Sequence, residues 1–182
     1  MVRRAVKHFL VLAAGLAALC AQSGVLATEE VLFEDSFDGD LSRWTIVHGD
    51  WLIKEGKVEG GGHGSPALRT KQEFDGDLIV EFTGATVPPF SHDIQCILFT
   101  NGYYFLLGSG RNTASTVLRQ GHPVATTNRM TIEPGREYAV KIMRRGGTVE
   151  FIVDGKLVLS WTDEHPLASG PVSYTHLTLP TN

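Results

Sequence analysis

Short alternating segments dominate the chain after residue 30 and constrain its fold more than any other feature. In residues 77–83, Leu78, Val80 and Phe82 alternate with more polar neighbours, which indicates a β-strand with one face toward a core. Similar segments follow at 94–99, 103–107, 115–119, 138–144, 148–153 and 156–161. No segment shows a convincing helical period of 3.6 residues. The pattern therefore predicts an all-β sandwich of antiparallel sheets.

Turn residues separate these segments at short intervals. The chain contains 20 glycines among 182 residues, and glycine readily adopts the positive φ angles that tight turns need. Four dipeptides lie where two predicted strands meet, which is typical of β-hairpins: Glu55-Gly56, Asn101-Gly102, Gly146-Gly147 and Asp154-Gly155.

Residues 1–27 have the pattern of an export signal. Arg3, Arg4 and Lys7 form a basic start, and the apolar stretch 9–21 follows. This stretch is too short to span a bilayer comfortably, which disfavours an uncleaved anchor. Ala27 precedes a suitable cleavage point ahead of Thr28. Cys20 raises lipidation as an alternative, but the leucine before it disfavours that modification. We expect a periplasmic or extracellular product without a membrane association after cleavage.

The charge of the mature chain disfavours nucleic acid as a partner. Loss of the three basic residues of the signal leaves 13 basic against 20 acidic residues, so the formal net charge moves from −4 to −7. An acidic surface repels phosphate backbones. Cys96 becomes the single cysteine, so an internal disulfide is excluded and the core must stabilise the fold.

The last residues do not continue the pattern. The stretch 173–181 resembles the peptide produced when sequencing-adapter DNA is translated, and the sandwich needs one more closing strand after residue 170. We therefore expect residues 28–170 to form the domain and residues 171–182 to be a non-native tail of a gene fragment. A genuine native terminus is the alternative.

Several motifs resemble concanavalin A-like proteins of the 3-keto-disaccharide hydrolase and allied uncharacterised-domain families. They are the opening run 32–44, the segments 51–58 and 74–82, the middle run from His92 to Asn112, and the hairpin 153–157. The resemblance covers about three quarters of the chain, and its motifs are mostly structural. It implies a concanavalin A-like jelly roll lacking its final strand, and a link to polysaccharide-degrading systems.

Two neighbouring residues are candidates for catalysis. His92 and Asp93 come just before a predicted strand, where a histidine beside a carboxylate could act as a general base near neutral pH. The alternative is a pair that caps a turn. A laminarinase-type Glu-x-Asp-x-x-Glu motif, which would supply the two carboxylates that retaining glycosidases need, is absent from the sequence.

Further candidates would bind a saccharide. They are Gln95, Tyr104, Arg111, Asn112 and Arg119, since aromatic rings stack on sugar faces while amide and guanidinium groups bond hydroxyls or a uronate carboxylate. An ordinary half-exposed sheet face is the alternative. Trp51 is expected in the core rather than in a site.

We expect no cofactor. No cysteine or histidine spacing typical of a metal site is present. Asp35, Asp38 and Asp40 resemble a calcium-binding cluster, although turn and cap chemistry explains the same residues and is preferred.

The sequence therefore predicts an exported, carbohydrate-engaging domain whose partner is an oligo- or polysaccharide held on the concave sheet. A hydrolase acting on glycosidic bonds and a non-catalytic carbohydrate-binding module are both compatible with the residues. A purely structural sandwich is the third alternative.

Overall fold

The computed structural model describes residues 4–13, 30–61, 66–87, 93–99 and 102–175. In chain order these residues form the strands β1 (Arg4–Ala13), β2 (Glu30–Asp35), β3 (Trp44–His48), β4 (Asp50–Lys54), β5 (Lys57–Gly61), β6 (Ala67–Asp75), β7 (Leu78–Thr86), β8 (Ile94–Leu98) and β9 (Tyr103–Gly108), the short turn α1 (Ser109–Asn112), and the strands β10 (Ala114–Arg119), β11 (His122–Thr127), β12 (Tyr138–Arg145), β13 (Thr148–Val153), β14 (Lys156–Thr162) and β15 (Ser169–Thr175).

The strands form two antiparallel sheets. The larger sheet has eight strands in the order β14-β13-β12-β7-β1-β5-β4, and β2 also pairs with β1. The smaller sheet has seven strands in the order β11-β10-β9-β8-β15-β6-β3. The described part of the chain contains no helix with the length and hydropathy needed to span a lipid bilayer. The predicted all-β jelly-roll sandwich is confirmed.

The core lies between the two sheets and uses the alternating residues that the sequence indicates. Phe105 of β9 and Phe151 of β13 meet across the sandwich with ring centroids 5.7 Å apart. Phe82 of β7 and Tyr174 of β15 form a second such contact at 5.8 Å. Because every second residue of a strand points to the same face, these contacts fix which face of each strand is interior.

The hairpins follow from their turn residues. Glu55 and Gly56 between β4 and β5, like Asp154 and Gly155 between β13 and β14, all have positive φ angles. A two-residue turn with positive φ at both positions matches the right-handed twist of the strands it joins. Gln120 and Gly121 form a third turn of this kind between β10 and β11, which the sequence did not indicate.

Residues outside both predicted boundaries of the domain participate in the sheets. Arg4–Ala13, inside the predicted signal, forms β1 of the larger sheet. The boundary between residues 170 and 171 falls inside β15, where Val172 and Tyr174 are buried. The rest of the predicted signal, residues 1–3 and 14–27, and the rest of the predicted tail, residues 176–182, lie outside the described residues. Cleavage of the signal and the origin of the tail stay predictions.

Candidate functional site

The smaller sheet has a face that points away from the core, and five central residues define what we call the outer surface. Ile94, Cys96 and Leu98 of β8 belong to the core, so the intervening Gln95 and Ile97 face outward. The cross-strand partners of these two are Leu106 and Tyr104 of β9, and Thr116 of β10 pairs with Leu106.

Three of the five residues of the outer surface are covered by neighbouring groups. Gln95, Leu106 and Thr116 are buried although they point away from the core. An outward residue of an uncovered sheet stays exposed, so neighbouring groups must lie over these three. Ile97 and Tyr104 are only half-buried and form the accessible part of the surface.

Gln95 is the most unusual residue of this surface. Its side chain is fully buried, and neither Oε1 nor Nε2 has a hydrogen-bond partner among the described residues. A buried amide without partners costs about 1–3 kcal/mol relative to a satisfied one. Because these polar atoms are out of reach of solvent, a ligand hydroxyl would meet the amide only if the groups that cover it moved.

Hydroxyl groups continue the surface beside Gln95. The Oγ1 atom of Thr116 lies 3.0 Å from Oγ of Ser109 in α1 and accepts a bond of 3.4 Å from Oγ1 of Thr126 in β11. Thr116 and Gln95 are both paired with Leu106, from opposite sides of β9. The surface thus carries an amide and several hydroxyls around one leucine.

Tyr104 supplies an aromatic ring next to these groups. Its side chain is half-buried, and desolvation raises the pKa of its hydroxyl above the usual range. The phenol therefore stays protonated near neutral pH and keeps its capacity to donate a hydrogen bond.

A corner with unusual backbone geometry borders the outer surface. Asp93, Arg111 and Asn112 have φ angles of 63°, 61° and 64°, which non-glycine residues rarely adopt. The backbone N–H of Asp93 donates to the carbonyl oxygen of Gly108, which precedes α1. The contact of Ser109 with Thr116 joins this corner to the outer surface. Such strained residues cluster at functional sites more often than elsewhere.

Arg111 and Asn112 have different environments within this corner. Arg111 is exposed, and no carboxylate of the described residues forms an ion pair with it. The Asn112 side chain instead clamps Ile132: Nδ2 donates to the carbonyl oxygen and Oδ1 accepts from the backbone N–H, both at 2.7 Å. Asn112 therefore holds the 128–133 loop against α1.

Arg119 points in the opposite direction from Tyr104. It is paired with Tyr103, a core residue, and its Nε donates to Oδ2 of Asp163 at 2.6 Å. Asp163 also accepts bonds from the Tyr103 hydroxyl at 2.7 Å and from the backbone N–H of His165 at 2.9 Å. Sequence reasoning missed Asp163 because it lies in a loop with no motif around it.

The structure thus divides the predicted site residues into three groups. Gln95 and Tyr104 share the outer surface, and Asp93, Arg111 and Asn112 lie at the adjoining corner. Arg119 lies on the inner face beside Asp163. His92 lies outside the described residues.

Two of the three aspartates of the opening segment have partners that explain them. Asp35 accepts hydrogen bonds from the backbone N–H of Phe37 and from the Trp44 indole, and Asp40 accepts from the backbone N–H of Ser42. These are turn and cap interactions. In the part of the chain that the structure describes, no group of three or more histidine, cysteine, aspartate or glutamate residues could hold a metal ion.

Comparisons with known proteins identify the fold. No protein-family model matches the chain, and no curated protein sequence matches it. Among solved structures, the carbohydrate-binding module CBM66 from Bacillus subtilis superposes with a TM-score of 0.60 at 15% identity, over 74% of this chain and 88% of that one. A Bacillus subtilis protein of unknown function with a galectin-like fold gives 0.66 at 13%, over 80% and 89%.

A third similar structure comes from work on endo-acting O-glycanases of the human gut microbiota that initiate mucin breakdown. It has a TM-score of 0.58 at 15% identity, over 80% of this chain and 85% of that chain. Identities this low establish architecture and leave activity to be argued from the site itself. The chain has the concanavalin A-like jelly-roll fold.

Proposed function

We propose that this protein is an exported domain that binds an oligo- or polysaccharide on the outer surface and its adjoining corner. The observation that carries the proposal is the half-buried Tyr104 ring on the outer surface, next to the Thr116 hydroxyl and the Gln95 amide, which is unpartnered among the described residues. A sugar offers apolar ring faces to an aromatic side chain and hydroxyls to an amide. The carbohydrate-binding module of similar fold supports this choice of ligand.

Binding of glycans to the full chain tests the proposal. Tyr104→Ala should weaken the tightest glycan about tenfold, which corresponds to about 1.4 kcal/mol, because it removes the ring platform. Gln95→Leu should also weaken it, since a leucine cannot bond a hydroxyl. Leu157→Ala, at an exposed position of the larger sheet, is the control. Equal affinities in all three variants would contradict the location of the site.

Hydrolysis is the second candidate function, and the corner favours it. Asp93 is buried there in a left-handed conformation with its backbone N–H bonded to Gly108, three residues before the exposed Arg111, and His92 precedes it in the sequence. We propose His92 and Asp93 as the acid-base pair, with Arg111 holding the substrate and Asn112 positioning the corner through its bonds to Ile132. Release of new reducing ends by the full chain, lost in Asp93→Asn, would support hydrolysis. Binding without release in the unmodified protein would identify a binding module.

Export is a separate part of the proposal. The basic start and the apolar stretch of residues 1–27 support it. Expression in a bacterium with a periplasm, followed by fractionation and amino-terminal sequencing, should give a product that begins at Thr28. An intact amino terminus in the cytoplasmic fraction would contradict export.

A further inference from the structure

An open cleft lies where the two sheets meet at one edge of the sandwich. It has a volume of about 650 Å³ and is lined by residues of β10, β11, the loop after β11, and β14. The strand β11 lies at the end of the smaller sheet, and β14 lies at the end of the larger one. Ligand sites in proteins typically have volumes of about 300–1,000 Å³. The function proposed above uses none of the residues that line this cleft.

Polar side chains make up more than half of the cleft lining. They are Thr126 and Thr127 of β11, Asn128 and Arg129 of the loop after it, and Ser160 of β14. The apolar part of the lining consists of Ala114, Val158 and Leu159. Because β11 and β14 are both end strands, their outer backbone N–H and C=O groups have no ladder partner among the described strands. The cleft therefore offers many hydrogen-bonding groups to a hydroxylated ligand.

Arg129 is the charged group of the cleft. Its side chain is exposed, and no carboxylate of the described residues forms an ion pair with it. Its backbone is anchored, because its own N–H donates to Oγ1 of Thr127 and the carbonyl oxygen of Met130 accepts from Oγ of Ser115, both at 3.3 Å. A guanidinium presents a planar fork of donors that matches a carboxylate. An unpaired guanidinium beside hydroxyls and an amide favours a ligand that carries both a carboxylate and hydroxyl groups.

A peptide strand suits this cleft less well than a saccharide does. A strand that adds to a sheet edge needs a regular row of backbone groups. The pairing of β14 with β13 shifts its register between Phe151 and Ile152, and the pairing of β11 with β10 shifts between Val117 and Leu118. The strand β11 also contains Pro123, which has no N–H to donate. These irregularities interrupt both edges, whereas the hydroxyls of a sugar need no regular spacing.

We propose that this cleft is a second saccharide site, which binds a uronate, a sugar unit that bears a carboxylate. The Arg129 guanidinium pairs with the carboxylate through two parallel hydrogen bonds, and the side chains of Asn128 and Ser160 bond the ring hydroxyls. The formal net charge of −4 opposes an anion at long range, but salt screens charges beyond about 8 Å at physiological ionic strength. The direct contact with Arg129 therefore decides the binding.

Paired oligosaccharides that differ only in the carboxylate test the proposal. The full chain is titrated by calorimetry with tetrasaccharides of galacturonate, glucuronate and mannuronate, and with the same compounds after reduction of their carboxylates to alcohols. We expect at least one acidic compound to bind saturably and its reduced form to bind at least about tenfold more weakly. Polyglutamate serves as the acidic peptide. Absence of binding by all three acidic compounds, equal binding of the reduced forms, or tighter binding of polyglutamate would each overturn the proposal.

A matched pair of arginine variants locates the site. Arg129→Gln should weaken the acidic compound at least about tenfold, because the amide lacks both the charge and the fork. Arg145→Gln removes the same charge from an exposed position of β12 and should change the affinity less than about twofold. The exposed Arg129 side chain has no ion pair among the described residues, so thermal unfolding of its variant should match that of the unmodified protein. Equal affinities of the two variants would overturn the proposal.

Tyr104→Ala separates the cleft from the outer surface. A uronate affinity that depends on Arg129 but not on Tyr104 would support the cleft, whether or not neutral glycans bind to the outer surface. An affinity that depends on Tyr104 alone would overturn the cleft and support the function proposed above. Dependence on both residues would support a glycan that spans the two sites, since Thr126 of the cleft contacts Thr116 of the outer surface.

Discussion

The Arg119 guanidinium donates through Nε to Oδ2 of Asp163 across 2.6 Å, although 44 positions separate the two residues. Asp163 is buried and also holds the Tyr103 hydroxyl, which in turn accepts a bond of 3.0 Å from the backbone N–H of Leu167. The carboxylate therefore ties β9 and β10 of the smaller sheet to the loop that follows β14 of the larger one.

Asp163→Asn should destabilise the protein. The amide keeps one acceptor oxygen but loses the charge that the Arg119 and Tyr103 donors face, and hydrogen bonds to charged groups contribute about 1.5–3 kcal/mol each. Because Arg119 is partly exposed, we expect a loss of about 2 kcal/mol in the free energy of unfolding. Urea titrations measure this, with exposed Glu164→Gln as the control. Equal effects of the two changes would contradict the role of Asp163.

Stability should fall in acid through the same residue. Burial by itself would raise the pKa of Asp163, but the hydrogen bonds from Arg119, Tyr103 and the His165 N–H outweigh burial and hold its pKa below the usual value. A lowered folded-state pKa adds stability above the unfolded value of about 3.9 and loses it as the pH falls further. The difference in urea midpoint between the unmodified protein and Asp163→Asn should therefore be fully present at pH 6. It should shrink as the pH falls below about 3.9. A constant difference across this range would contradict the assignment.

Asn112 should matter for both its side chain and its backbone. Asn112→Ala removes both bonds to Ile132 and places an alanine at a φ of 64°, where a side chain costs about 1–2 kcal/mol. Asn112→Gly removes the same bonds without that backbone cost. Thermal unfolding should show both variants less stable than the original, with alanine the lower. Unchanged melting temperatures would show that the clamp contributes nothing.

Gly60 should resist substitution because of Trp51. A Cβ atom at Gly60 would lie 2.8 Å from the Trp51 ring, whereas a Cβ at Gly39 would meet nothing within 4 Å. Displacement of a packed ring costs about 1–3 kcal/mol. Gly60→Ala should therefore lower the free energy of unfolding by that amount, and Gly39→Ala should change it by less than about 0.5 kcal/mol. Similar values for both would contradict a packed Trp51.

Cys96 should be chemically inert in the folded protein. Its side chain is 1% exposed, and desolvation raises the pKa of its thiol, so both access and thiolate are lacking. In a Cys20→Ser background, a thiol reagent should leave the native protein unmodified and react fully in guanidinium chloride. Rapid native labelling would contradict the buried position of β8.

Local patterns predicted the hairpins well and the isolated strands poorly. The β4–β5 and β13–β14 hairpins were predicted because Gly56 and Gly155 mark turns between alternating segments. By contrast β6 was missed, since Lys71, Gln72 and Glu73 are exposed in its middle and interrupt the alternation. The β11 strand begins with His122 and Pro123; a proline is tolerated there because β11 lies at the sheet edge.

The candidate site was predicted only where its residues are close in sequence. Gln95 and Tyr104 belong to adjacent strands of one hairpin, so local alternation places them on a common face. The orientation of Arg119 depends on Asp163, in a distant loop without a recognisable pattern.

The sequence by itself determined that the chain forms short strands, and it determined the positions of the tight hairpin turns and of the apolar residues in each strand. It could do so because backbone sterics and side-chain alternation act within a few residues. Only the tertiary structure decided which strands became neighbours, that Arg4–Ala13 lies between β7 and the β2 and β5 strands, and that an amide, a ring and hydroxyls share one outward face. Alternation creates two faces on every strand, but long-range packing selects their partners.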